Sequence, residues 1–340
     1  MDITGTTSGE DRTGVLDEAL ERLHDRGPER DGWLSNHAPM AVEALVRHGQ
    51  ASRVHRWLDG YSARLEDMPA LHARVTTENW PEALGDPVRI ADWAGFFERE
   101  TRERPWPEVL GEWWPRLLPG IAGGATHPVI RVGHAVRTLL AGEETAPRVT
   151  ELAHALGYWA ARHAPLPPLT ALAPAADAAT ALDAVPAVPD QSGGIRERLA
   201  QLAGIPAWGT APDPDTARER LTDLVGSATR WYGTHAHGSP VMLVHAATAP
   251  NAVLRTLPAL PRELWAPSLG AAWAASAAVT AAYRPQSPVP YEPKGSPHAG
   301  EVLERAAAHG DEHAIKFADT AVDAGDPVAL GAALRAVELI

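Results

Sequence analysis

The chain contains no cysteine among its 340 residues. That absence removes disulfides, zinc ribbons, iron–sulfur clusters and thiol nucleophiles together. Any metal must then be held by histidine, carboxylate or a modified side chain. Basic clusters are missing too: 30 Lys and Arg stand against 43 Asp and Glu, a formal charge of −13. An acidic chain of this kind is a poor partner for nucleic acid or for an anionic membrane. No apolar run reaches the about 18 residues that could span a bilayer. The opening MDITGTTSGEDRTG is polar and has no secretory core. A cytoplasmic monomer or homodimer is the expectation. Also missing are G-x-G-x-x-G after a strand, G-x-x-x-x-G-K-[ST], H-E-x-x-H and G-x-S-x-G. A self-contained dinucleotide or flavin domain and serine-hydrolase chemistry therefore have no support. Phe is scarce, at 3, while Trp is abundant, at 12. Those indoles suit either an ordinary core or the lining of an aromatic-binding cavity, and composition does not choose between them.

What is present is helical periodicity. Apolar residues recur at 3.6-residue spacing over Val15–His24, from near Pro39, and over Ala51–Leu65, Ile90–Glu103, Pro105–Leu118, Gly123–Leu140 and Arg148–His163. Later periods run from about Asp213 to Tyr232, from Pro250 to Leu257, and from Arg262 to Tyr283. Three more close the chain near Gly300–His309, Asp311–Asp323 and Pro327–Leu339. No alternating strand stands out. The fold class expected is all-α: a large helical bundle, as one compact domain or two tightly packed helical lobes. Residues 1–30 form an N-terminal extension with a short helix. Residues 31–163 are the first helical half, 164–190 a Pro/Ala-rich connector, and 191–340 the second half.

Few of the 15 histidines have a context that suggests chemistry. His37 follows Asn36 at a helix start. His127 stands directly before Pro128, whose fixed φ suits a first helical turn. Arg131 and His134 follow on roughly the same face of that helix. His245 lies in the apolar run Val241–Ala247, where an imidazole is expected to be neutral and either partnered or metal-bound. His313 and Lys316 are three apart on one helix beside Ile315 and Phe317. A lysine there either snorkels to solvent or is buried with a depressed pKa. His24, His48, His55, His72, His163, His298, His309 and His154 sit among polar or loop residues and read as surface. His235 and His237 bracket a turn and form a weaker i, i+2 metal-binding pair.

The wording His127-Pro-Val-Ile-Arg-Val-Gly-His134 after a glycine turn, with Asn36-His37 and His313-Ala-Ile-Lys316, resembles the questin oxidase-like family. That resemblance spans about residues 30 to 320, as short motifs in divergent sequence. It implies an all-α oxidoreductase that oxidatively cleaves rings of anthraquinone-type polyketides with O₂. It also implies a non-haem iron (Fe²⁺, or another divalent metal) held by His37, His127, His245, His313 and a Lys316 carboxylated by CO₂. His134 and Arg131 are then the catalytic candidates, orienting ligands or substrate. The chain departs from the fungal pattern in having His134 where a tyrosine is usual, and Ala-Pro-Met after His37 in place of a histidine-richer run. The alternatives are an NADPH-dependent Baeyer–Villiger-type monooxygenase and a non-catalytic metal- or ligand-binding helical protein.

Overall fold

The computed structural model describes residues 7–293 and 295–340. Sixty-seven per cent of the chain is helical and 5% is strand, as an all-α reading requires. Helices occupy Thr7–His24, Ala38–Arg47, Ala51–Ser62, Ile90–Glu103, Trp106–Leu117, His127–Ala141, Ala146–Ala161, Pro214–His235, His245–Thr256, Trp265–Tyr283, Ala299–His309, Glu312–Ala324 and Pro327–Leu339. One hydrophobic core takes residues from both sides of the 164–190 segment, from Trp93 and Trp113 through Ala252 to Phe317. A smaller cluster joins Leu16, Leu20, Val42, Leu58 and Ile315.

Two expectations need correction. Strands do exist: Glu29–Arg30 pairs antiparallel with Leu34–Ser35, and Thr170–Pro174 pairs parallel with Gly204–Ala207. The first two are only two residues each, and Thr170–Pro174 is exposed throughout, so neither carries an alternation to read. Pro250 does not start a helix but lies inside one that begins at His245. A proline there has no N–H for the carbonyl four residues back. The Ser276 hydroxyl donates to that carbonyl, Ala246 O, at 2.7 Å, so the helix continues without an orphaned acceptor.

The tryptophans are mostly core. Trp93, Trp113, Trp114 and Trp159 are fully enclosed. Trp93, Phe96, Phe97 and Trp113 pack with centroids 5.1–5.8 Å apart, mostly edge to face. Trp93 donates to Ala83 O at 3.0 Å and Trp114 to Ser268 Oγ at 2.8 Å, which settles their indole N–H groups.

Four helices place the candidate site: Ala38–Arg47, His127–Ala141, His245–Thr256 and Glu312–Ala324. Contacts between them advance in step. His127 meets His245 at 2.9 Å, Gly133 faces Ala252, and His134 faces Arg255. These two helices therefore run parallel and very close, because a Cβ on Gly133 would lie 2.5 Å from the Ala252 Cβ. The same progression, from His37 against His127 to Glu43 against His134, aligns the first helix with them. The fourth follows through His313 against His37 and Asp319 against Arg137. All four N-termini meet at one end.

Candidate metal centre

Each of the four helices brings a histidine to that end. His37 is the N-cap of its helix, His127 and His245 are first residues, and His313 is second. Candidate ligand atoms on the four rings all lie within 4.8 Å of one another. Ring centroids are 4.5 Å apart for His37–His127, 4.4 Å for His37–His313 and 4.4 Å for His127–His245.

The orientation of each ring is fixed from behind. His37 Nδ1 donates to Ser35 O at 2.8 Å, His127 Nδ1 to Gly124 O at 2.6 Å and His245 Nδ1 to Met242 O at 2.9 Å. His313 Nδ1 lies 3.2 Å from the Asp311 carboxylate, which also caps the helix. Carbonyl and carboxylate oxygens can only accept, so every Nδ1 carries the proton and every Nε2 carries a lone pair. His127 Nε2 and His245 Nε2 then face each other at 2.9 Å as two acceptors. His37 Nε2 is buried with no hydrogen-bond partner among the described residues. Lone pairs crowded in this way call for a cation between them, and the donor set suits a late first-row divalent ion.

Burial is the main cause that holds His37, His127 and His245 well below the usual histidine pKa. The nearby Lys316 charge adds to it. His313 is lowered for the same two reasons, with Asp311 opposing. The positive ends of four helices act in the same direction. Neutral imidazole is the ligating form, so the site is electrostatically ready.

Lys316 is 0% exposed and its Nζ lies 2.8 Å from His245 Nε2. Burial pulls its pKa down from 10.5 to about 7, with Glu312 and Asp311 opposing. Of the two sequence readings, the snorkelling one is overturned: residues 312–321 are buried throughout, and Lys316 itself is fully enclosed.

The turn that delivers His127 is conformationally unusual. Gly124, Ala125 and Thr126 are consecutively left-handed, with φ of 53°, 54° and 67°. This reversal turns the Gly124 carbonyl back onto the His127 ring. Non-glycine residues in this region cost about 1–2 kcal/mol each. Ala125→Gly is therefore expected to raise the unfolding free energy by about 1 kcal/mol, and urea denaturation of the two proteins measures it. An unchanged or lower midpoint would mean that Ala125 is not strained.

His134 and Arg131 are not brought into this cluster. Arg131 makes a buried bidentate ion pair with Glu151, at 2.6 and 2.7 Å. His134 Nδ1 binds Glu43 Oε2 at 2.7 Å. With Asp319, these two form a second group of potential ligands, but Arg137 already lies between both carboxylates as their cation. The surface reading also fails for some histidines. His154 is buried against Glu98 at 2.7 Å, and His48 Nε2 reaches Asp319 at 2.7 Å. His235 is stacked on Trp231 at 3.7 Å while His237 is exposed, so that pair does not converge on a metal.

Sequence reasoning missed Glu43, Arg137, Arg255 and Asp319. For one of them a signal existed: Glu43 is the one charged side chain in the apolar stretch Ala38–Val46.

A family model described as questin oxidase-like matches residues 34–321, which takes in all four histidines and Lys316. The chain belongs to the questin oxidase-like family. Membership makes it an oxidoreductase, of a family whose chemistry is directed at polyketide substrates. No individually curated protein matches the chain. Among the described residues no helix is long and apolar enough to cross a membrane.

Proposed function

We propose that this questin oxidase-like chain is a mononuclear non-haem iron oxygenase. Its substrate class is an aromatic polyketide such as an anthraquinone, and the outcome is oxygen insertion or oxidative ring C–C cleavage. The observation that carries the reading is the convergence of four Nε2 lone pairs with every Nδ1 already committed. Bound there, the metal would supply O₂ activation and polarisation of a quinone or ketone oxygen.

The chain's own part is to hold and to exclude. Ser35, Gly124 and Met242 carbonyls and the Asp311 carboxylate hold the ring protons at Nδ1. Tyr61 Oη accepts the His37 backbone N–H at 3.0 Å, fixing the cap from which that ring projects. His245 is 0% exposed and the other three histidine residues at most 9%, so water has little access.

Four neutral imidazoles leave a divalent cation uncompensated in a dry interior, with helix dipoles adding positive potential. Lys316 relieves that conflict as a carbamate: its neutral amine adds CO₂, forms an N–C bond and releases one proton. The resulting anion is a hard oxygen donor beside the imidazoles.

The test is metal analysis of the purified protein, then oxygen uptake with hydroxyanthraquinones after Fe(II) loading, with and without NADPH. Stoichiometric metal is expected, with uptake that needs no NADPH where both atoms of O₂ enter the product, as ring C–C cleavage allows; insertion of a single oxygen atom would need two further electrons. Uptake that strictly needs NADPH would favour the Baeyer–Villiger alternative. Metal bound without uptake of oxygen would favour a binding protein, and no metal with any divalent ion would sink the reading.

A further inference from the structure

Beneath the four-histidine layer the same four helices build a second polar layer. Its members are spaced alike from the histidines: Glu43 is six residues past His37, His134 and Arg137 are seven and ten past His127, Asn251 and Arg255 are six and ten past His245, and Asp319 and Asp323 are six and ten past His313. At 1.5 Å per residue, that places the layer roughly 9–15 Å down each helix from its histidine.

The bonds of this layer link the four helices in series, from the first through the second and the fourth to the third. Arg137 Nε binds Glu43 Oε1 at 3.0 Å and its Nη2 binds Glu43 Oε2. The same guanidinium grips both oxygens of Asp319, at 2.9 and 3.0 Å. Arg255 joins the fourth helix, with Nη2 to Asp319 Oδ2 at 2.7 Å and Nε to Asp323 Oδ2 at 2.8 Å. Asn251 Nδ2 adds a bond to Asp323 at 3.1 Å. Arg137, Glu43, His134 and Asp319 are all under 9% exposed.

A buried ionic cluster is not needed for stability, since well-packed apolar residues of similar volume do as well or better. Its distinctive property is direction. The contact between the His127 and His245 helices, by contrast, is the close Gly133–Ala252 approach, and small residues leave few ridges to oppose sliding or rotation. A one-residue slip turns a helix by about 100° and would take its imidazole out of the cluster.

We infer that this layer is a register clamp, with Arg137 its hub. It sets the convergence of the four imidazoles, and so the metal affinity, without touching the metal. Arg137, Glu43, Asp319 and His134 are positioning residues in this scheme. The inference rests on the metal-centre reading given above.

The experiment uses the full-length protein and measures Fe(II) and Co(II) affinity by chelator competition, alongside the thermal midpoint of the metal-free form. Arg137→Met alone takes the cation from the buried Glu43 carboxylate, while Asp319 keeps Arg255, and it risks failing to fold. The decisive variant is therefore the triple Glu43→Gln, Arg137→Met, Asp319→Asn, which removes the three charges that meet at Arg137 and leaves Arg255 paired with Asp323, with Arg137→Lys as the conservative partner. The triple variant is expected to keep a metal-free midpoint near wild type but lose about 10–100-fold in metal affinity, the range typical of outer-shell partners. The visible Co(II) spectrum should shift with it. Arg137→Lys keeps the charge and should recover part of both. Wild-type affinity and an unshifted spectrum in the folded triple variant overturn the clamp. If wild type itself binds neither ion, the metal reading fails first. If His245→Ala loses metal while the triple variant keeps it, only the clamp fails.

Discussion

Replacing His245 with alanine is expected to empty the metal centre and abolish turnover. His245 is the most enclosed of the four imidazoles, and its Nε2 meets both His127 Nε2, at 2.9 Å, and Lys316 Nζ, at 2.8 Å. Its removal therefore takes away one donor and unseats the partners of two others. The loss in metal affinity should exceed the about 10–100-fold typical of an outer-shell change. Truncating a buried ring also leaves a cavity, on the order of 2–5 kcal/mol for large side chains. His245→Leu, which keeps more volume, separates that effect from the loss of the ligand. Metal content by elemental analysis reads the result in both variants. Chelation should lower the melting temperature of wild type and leave either variant unmoved, because only a ligand that binds the folded state shifts its stability. Either variant holding full metal at wild-type affinity would remove His245 from the ligand set.

The four histidines were legible in the sequence because each sits in a context with a physical meaning. His127 precedes a proline whose fixed φ suits the first helical turn, His37 lies in a cap, and His245 stands in an apolar run where a charged ring would be costly. The helices were legible for the same reason that they form, since an amphipathic stripe is both the signal and the driving force. That logic fails for Thr170–Pro174, which is exposed along its length and has no buried face to alternate with. It fails again at Pro250, where continuation of the helix depends on Ser276, 26 residues further along the chain.

The charge layer was hidden for a different reason. Glu43, a lone charge in an apolar stretch, reads first as a side chain reaching for solvent, and only its partners on another helix, His134 and Arg137, show otherwise. Arg131 and His134 illustrate this from the opposite side. Sharing a face with His127 put them in view as site groups, yet Glu151 and Glu43 hold them. Face-sharing along one helix is local, whereas the choice of partner is tertiary.

Lys316→Met should separate stability from function with opposite signs. In wild type the amine is fully buried and, among the described residues, has His245 Nε2 as its one hydrogen-bond partner and no carboxylate in contact. Burial therefore holds its pKa near 7 instead of the usual 10.5. Between those two values the folded protein binds fewer protons than the unfolded chain, so the stability of the metal-free protein rises with pH across the window. Below about pH 7 the amine is protonated in both states and the full penalty is expressed. Methionine fills similar space with no charge to desolvate. The metal-free variant is thus expected to melt a few degrees above wild type at pH 7, with the advantage shrinking as pH climbs toward 10. Its metal affinity and turnover should nevertheless collapse, because the anionic donor is gone. In wild type, bicarbonate should strengthen metal binding and mild acid should reverse it, since carbamate forms only from the neutral amine. The variant should respond to neither. Two measurements decide the matter: the difference in melting temperature as a function of pH, and metal affinity with and without bicarbonate. A variant less stable than wild type at pH 7 would mean that the amine is a stabilising partner in its own right. Equal bicarbonate dependence in both proteins would mean that CO₂ acts at some group other than Lys316.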